Sequence, residues 1–263
     1  MNADDIPPRY EHKFMVPAFV ADALRERMRP FASLDANSLA AGTAKNGAAA
    51  RENRYLITSL YYDTPDLDLF EDSNTGVRRR FKLRVRRYGE QLGDSPVFFE
   101  VKHRVGDIIR KSRAFVPPLR WARRLVEDHP DAKLPEIDFR SRVLTRRCQP
   151  TLLVRYAREV WKGHIDSYVR VTFDTKLEYA RVDEAVLESA GPWEPADDAV
   201  AFDDDDALVL IEVKFEQTVP RWLSLAIRDL GMRRQGFSKY GVGVARAFGR
   251  DGGLDVARRI ARY

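Results

Sequence analysis

The sequence predicts an α+β fold, with many antiparallel strands and helices to one side, or the same strands closed into a barrel with helices packed outside. Three observations predict it. Seven segments rich in β-branched and aromatic residues recur along the chain, and an eighth at 10–16 joins them if it too is extended. Two of the segments flank Gly106–Asp107, a dipeptide suited to a hairpin turn. Helical spacing is confined to a few stretches.

The elements follow in chain order. Residues 10–16 alternate, with Glu11 and Lys13 on one face. A helix is predicted over 17–29, with Pro17 at its start and Phe19, Val20, Leu24 and Met28 roughly at helical spacing. Residues 36–50 are small, lack an apolar period and predict a mobile loop. Strands are expected at 54–63, 77–88, 97–104 and 108–116. A helical middle section covers 119–128 and 135–147. Strands return at 152–161, 168–179 and 208–215. The acidic stretch 188–206 between the last two predicts a second loop. Thr218 is placed to cap a helix over 220–230 that stops at Gly231, and 252–263 predicts a basic terminal helix. No fixed-period repeat and no Pro/Ser-rich linker divides the 263 residues, so one domain with two decorated loops is expected, its core about 10–248.

Composition narrows the class. Lys and Arg number 45 against 40 Asp and Glu, and 44% of residues are apolar, which is a globular balance. The single Cys148 excludes an internal disulfide framework and a Cys-based zinc site, and is read as a passive thiol. No apolar run approaches the ~20 residues of a membrane-spanning helix. The first residues are acidic and proline-bearing, unlike a secretory signal, so a soluble cytoplasmic protein is expected. His12, His103, His129 and His164 show no metal-ligand spacing and are assigned surface or supporting roles, with His103 facing away from its neighbour Lys102. Neither a Walker A motif nor a dinucleotide fingerprint is present.

The charges carry the chemistry. Residues 77–89 hold seven cations and no anion. Within the strands, polar and charged residues fall on alternate positions with largely apolar ones between them: Lys82/Arg84/Arg86, Glu100/Lys102, Lys111/Arg113, Tyr156/Arg158, Arg170/Thr172/Asp174 and Glu212/Lys214. For any single strand the ordinary expectation is a solvated polar face. Recurrence on about seven strands, with Glu-x-Lys appearing at 11/13, 100/102 and 212/214, points instead to one shared lumen. A barrel of about eight strands is wide enough inside for side chains and a small ligand. Many cations in such a lumen need counter-charge, and a polyanion supplies it, Arg forks matching phosphate oxygens. Glutamates there have the hard oxygens to hold a divalent cation bridging phosphates.

In order along the chain, YEHKF, KLRVRRYG, FFEVKHR, KSR, YAREV, RVTFD, IEVKF and FSKY resemble the VTC domain, the polyphosphate polymerase domain of the vacuolar transporter chaperone complex, in its bacterial stand-alone form. That family sits among the triphosphate tunnel metalloenzymes with the CYTH-type triphosphatases. The resemblance implies an antiparallel eight-stranded tunnel. It implies that Lys13, Arg84, Arg86, Lys102, Lys111, Arg158, Arg170, Lys214 and Lys239 grip phosphate and serve catalysis, with Arg113 a less secure phosphate contact. Glu212 matches the metal-binding glutamate, for Mn²⁺ or Mg²⁺, and Glu100 and Glu11 are metal or network candidates. Asp174 reads either as a site residue or as a structural ion-pair partner. The implied activity is transfer of the ATP γ-phosphoryl group onto growing polyphosphate. A non-catalytic polyphosphate- or pyrophosphate-binding module and a triphosphatase are the alternatives; a tunnel open at both ends suits the polymerase and one plugged end suits hydrolysis, while the module binds without turnover. The phosphate-sensing domain and membrane helices of the eukaryotic polymerase do not fit in this chain, and a membrane-protein partner is not readable from it. A nucleic-acid partner is not expected, because the basic strand lacks aromatic interleaving. Tyr61–Tyr62–Asp63 is read chiefly as packing and a turn, with a tunnel-mouth role also open.

Overall fold

The computed structural model describes residues 10–44, 53–89, 96–106, 108–166, 168–188, 191–197 and 207–250. Among them the order is β1 (Tyr10–Pro17), α1 (Ala18–Met28), β2 (Ala32–Leu34), α2 (Ala36–Ala44), β3 (Tyr55–Asp63), α3 (Asp68–Asn74), β4 (Arg79–Tyr88), β5 (Val97–Val105) and β6 (Ile108–Val116). There follow α4 (Trp121–Val126), α5 (Leu134–Thr145), β7 (Gln149–Gly163), β8 (Arg170–Arg181), β9 (Glu194–Pro195), β10 (Leu208–Phe215), α6 (Arg221–Asp229) and α7 (Lys239–Ala247). Among these residues no helix is long and apolar enough to cross a membrane.

Eight strands form one curled antiparallel sheet in the order β1-β10-β8-β7-β3-β4-β5-β6, with β2 added to β7 and β9 to β8. The fold is α+β, a half-barrel with helices outside. Among the described residues no ladder joins β1 to β6. The chain after α6 covers part of that seam: the Gln235 amide donates to the Lys13 carbonyl at 3.0 Å. Across it, the Lys102 ammonium lies 3.8 Å from Glu11.

The alternation runs inside out relative to an ordinary sheet. Apolar positions point outward, beneath helices. On one side Leu83, Val85, Phe99 and Val101 pack with Phe139 of α5, whose ring stacks on Phe99 at 4.9 Å. On the other, Val171, Phe173, Ile211 and Val213 pack with Leu24 of α1 and Leu223 of α6. Each such side chain removed from water contributes about 2 kcal/mol. The concave face keeps the charges, and α7 lies against it at one end. There Tyr240, Val242 and Val244 join Leu152, Val154, Tyr61 and Tyr179 in a third core. Gly243 is needed for this approach, since a Cβ would stand 2.6 Å from the Leu152 Cδ2 atom.

Strand β8 serves both surroundings because it carries a bulge. Arg155 pairs with Glu178 but Ala157 with Thr175, so β8 holds one extra residue there. Lys176 takes the left-handed conformation, φ 51°, at that point.

Three expectations need correction. The small-residue stretch begins with α2 rather than a loop. Alanines favour helix, and the Asp35 carboxylate accepts from the Ser38 amide at 2.9 Å, capping the helix start. Residues 45–50 lie outside the described set, as do 252–263 and most of 188–206. Thr218 does not cap α6; the helix starts after Pro220, with no side-chain cap. Gly231 does end it, at φ 63°. Short α3 was not expected, although its DLFEDSN begins acidic as a helix start should.

Asp63 ties these parts together. Its carboxylate, fully buried, accepts from the amides of Thr64, Leu69 and Phe70 at 2.8–2.9 Å and from the Tyr240 hydroxyl at 2.6 Å. It thereby orders the start of α3 and fastens α7 to the sheet. Asp63→Ala strands four buried donors and is expected to cost about 3 kcal/mol or more. Chemical denaturation checks this, and a loss below 1 kcal/mol contradicts it.

Candidate active site

The site follows from register. On β1 and β10, Lys13 pairs with Glu212 and Glu11 with Lys214. Opposite, β10 sets Glu212 against Thr172 and Lys214 against Arg170 of β8. On the far wall β4 and β5 pair Lys82 with Lys102 and Arg84 with Glu100, and β6 sets Arg113 on Glu100 and Lys111 on Lys102. Paired residues of antiparallel strands share a face, so these groups all lie on the concave side, and all but Arg170 meet there.

They form two charge clusters. The first surrounds Glu212 and Asp174. Arg158 grips Asp174 with two bonds of 2.6 Å and reaches Glu212 at 3.3 Å. Lys239, delivered by the first residue of α7, bridges the same carboxylates at 2.6 and 3.2 Å. Lys214 lies 3.1 Å from Glu212, and Lys13 stands between Glu212 and Glu11 at 3.7 and 3.2 Å. Burial opposes ionisation of Glu212, yet Lys239, Lys214, Lys13 and Arg158 hold its carboxyl well below the usual range. Burial and the Glu212 charge likewise oppose ionisation of Glu11, but Lys13, Lys102 and Lys214 bring it down to about 2.

The second cluster surrounds Glu100. Arg84 donates to it at 2.7 Å, Lys111 lies at 2.5 Å, Arg113 at 3.1 Å and Arg86 at 3.9 Å. Burial opposes the charge, but Arg84, Arg86 and Lys111 keep this carboxyl ionised, far below its ordinary pKa. Tyrosines support the arginines: Arg84 donates to Tyr61 and Arg86 to Tyr156, each at 3.2 Å. Tyr61 in turn stacks on Tyr240 of α7 at 4.7 Å. The YYD segment thus packs and also touches the site.

Lys82, Lys102 and Lys13 gather where the clusters meet. Burial, with Lys13, Lys102, Arg80 and Arg84 nearby, lowers Lys82 to about 7. Its ammonium donates to the Ser238 hydroxyl, the cap of α7, at 2.7 Å. Burial lowers Lys102 to about 8, with Glu11 opposing that shift.

Lys13, Arg84, Arg86, Lys102, Lys111, Arg113, Arg158, Lys214 and Lys239 are brought together with Glu11, Glu100 and Glu212. Arg170 stands apart. It is about half exposed, pairs with Asp35 at 3.5 Å and lines a cavity of about 450 Å³ with Lys162 and His164. Lys82, Tyr156 and Ser238 were not singled out as site residues. The parity of Lys82 with Arg84 was its signal; the other two depend on tertiary placement. His103 faces outward, 3.6 Å from Asp138 of α5. Cys148 is buried, and burial pushes its thiol up to about 12.

Carboxylate oxygens at Glu212 and Glu11 are the hard donors that Mn²⁺ or Mg²⁺ takes, and the two share one ammonium. Their donor chemistry fits a divalent cation. Glu100 is likewise enclosed by four cations, but three are arginines and, among the described residues, none pairs with a second carboxylate, so it fits a network role better. Among the described residues no preformed group of three or more metal-ligand side chains is present.

The VTC domain family profile matches residues 8–248. No curated protein matches the chain in sequence. Among solved structures, a "putative adenylate cyclase" of Vibrio parahaemolyticus is similar at 11% identity and TM-score 0.46, over 90% of this chain and 97% of that one. A "putative adenylyl cyclase" of Hippeastrum, described as having a dominant triphosphatase activity, is similar at 16% identity and TM-score 0.47, over 92% and 96%. A Pyrococcus horikoshii protein is similar at 15% identity and TM-score 0.42, over 90% and 99%.

Proposed function

The chain belongs to the VTC domain family, and on that premise we propose that it is a metal-dependent polyphosphate polymerase, moving the ATP γ-phosphoryl group onto a polyphosphate chain. The observation that carries this reading is the concave face itself, where ten Lys and Arg side chains surround two carboxylate clusters. Arginines held in this way stand ready where phosphate charge must be stabilised, so they need little reorganisation during reaction. Phosphoryl transfer asks mainly for such positioning. Arg84 and Arg86, fixed by Tyr61 and Tyr156, present forks that match phosphate oxygens. Lys13, Lys214 and Lys239 turn from Glu212 toward the phosphates. A divalent cation at Glu212 and Glu11 would neutralise phosphate charge as a Lewis acid. The acceptor's terminal phosphate oxygen bonds to the γ-phosphorus as the β–γ bridge breaks, and ADP leaves.

A second reading, triphosphatase, is favoured by one observation: α7 packs into the concave face at one end. A blocked end suits short substrates and release to water. The test incubates the protein with ATP and Mn²⁺ and measures polyphosphate, ADP and free phosphate. Polymer with matching ADP supports the polymerase. Free phosphate without polymer selects the triphosphatase. Neither product, with primer added, leaves a non-catalytic binding module.

The lowered pKa of Lys82 gives a pH test. In the free protein its charge is present below about 7 and lost above. A bound polyanion favours the charged form, so binding at pH 8 takes up a proton and weakens as pH rises further. Calorimetry of long-chain polyphosphate binding in buffers of different ionisation enthalpy measures this uptake. Lys82→Met is expected to reduce it by about one proton; unchanged uptake contradicts the assignment.

A further inference from the structure

We propose that Phe98, Arg113 and Phe115, with Tyr88 behind them, form a stacking platform for the base of a nucleoside triphosphate whose phosphates run inward to Glu100 and Glu212. The inference rests on the phosphate-binding reading of the concave face and adds to it which part of the substrate sits outside the charge clusters. The basic face turns aromatic at one end. On β4 the inward series Lys82, Arg84, Arg86 continues to Tyr88, on β5 Glu100 is preceded by Phe98, and on β6 Lys111 and Arg113 are followed by Phe115. The rings meet edge to face, Tyr88 to Phe98 at 5.8 Å and Phe98 to Phe115 at 6.0 Å. This end lies away from α7, because Lys82, at the other end of the β4 series, is the residue that meets Ser238.

Arg113 joins the two chemistries. One side of its guanidinium reaches Glu100 at 3.1 Å, within the second charge cluster. Its plane covers the Phe98 ring at 3.5 Å, and it donates to the Tyr88 hydroxyl at 2.8 Å. A guanidinium so fixed offers its outer face for stacking. Phe115 beside it is 62% exposed, a large aromatic left in water next to a polyanion site. A ligand with a charged tail and a flat, weakly polar head satisfies both. From Lys111 to Phe115 the strand advances about 13 Å, which suits an extended nucleotide with its base at the rim. Stacking of this kind tolerates different bases, so purine triphosphates should bind alike.

The test compares wild type with Phe115→Ala for binding of a β,γ-imido ATP analogue and of inorganic tripolyphosphate, by calorimetry with Mn²⁺. Phe115 is exposed, so the variant should fold normally. The expected result is about a tenfold loss of affinity for the ATP analogue with tripolyphosphate unchanged. A second variant, Phe98→Leu, removes the ring beneath Arg113 and should show the same selective loss. Equal affinity of wild type and both variants for the analogue overturns the platform and leaves the phosphate site standing. An equal loss for both ligands also overturns it, since the rim would then act on phosphate alone. Failure of wild type to bind tripolyphosphate overturns the phosphate site and the platform with it.

Discussion

Glu212→Gln is expected to lower metal-dependent turnover at least about 100-fold while polyphosphate binding persists or tightens. The two halves of this result have one origin. Glu212 lies within 4 Å of four cations, Lys13, Arg158, Lys214 and Lys239. The amide keeps the shape but removes a negative charge from a basic surface, so a polyanion meets less repulsion. The same change removes the carboxylate best placed for a divalent cation. Product assays with ATP and Mn²⁺, paired with tripolyphosphate calorimetry, read the two effects separately. Turnover within threefold of wild type would remove Glu212 from the metal site, and lost anion binding would show that its role is structural.

The second large effect is on stability. Asp174 is buried between Arg158 and Lys239, accepting two bonds from the first and one contact of 2.6 Å from the second. Asp174→Ala leaves two buried cations facing each other with only Glu212 between them. The expected loss is about 3–5 kcal/mol. Tripolyphosphate should restore more stability to this variant than to wild type, because it replaces the missing counter-charge. Thermal unfolding with and without tripolyphosphate measures both. A variant as stable as wild type, or one that gains no more from the anion, contradicts this role.

Much of this arrangement was legible in the sequence because a strand's parity is local. Lys82-Leu83-Arg84-Val85-Arg86 states which side chains share a face before any fold is known. Three Glu-x-Lys pairs on separate strands then made a common lumen the economical reading. What was not legible depends on distant partners. Asp63 reads as a turn residue in YYDTPD, yet its shortest hydrogen bond comes from Tyr240, 177 residues away. The helix α2 was hidden because alanine and glycine occur in loops too, and Ser38 is buried only where it accepts from the Val160 amide. The split of the carboxylates into two clusters was also invisible. Parity placed Glu100 with Glu212, but only the curl of the sheet gives the former its own four cations and makes the latter share Lys13 with Glu11.

Lys176 shows how that parity can be reset within one strand. Before it, the even-numbered Arg170, Thr172 and Asp174 face the charges, and Val171 and Phe173 face the outer core. After it, Tyr179 faces the inner core with α7 and Ala180 the outer one. The extra residue acts as a frameshift in a two-letter code. On its inner face one continuous strand therefore writes an ionic message in its first half and an oily one in its second. Removing that single residue would put every later side chain of β8 on the wrong side of the wall.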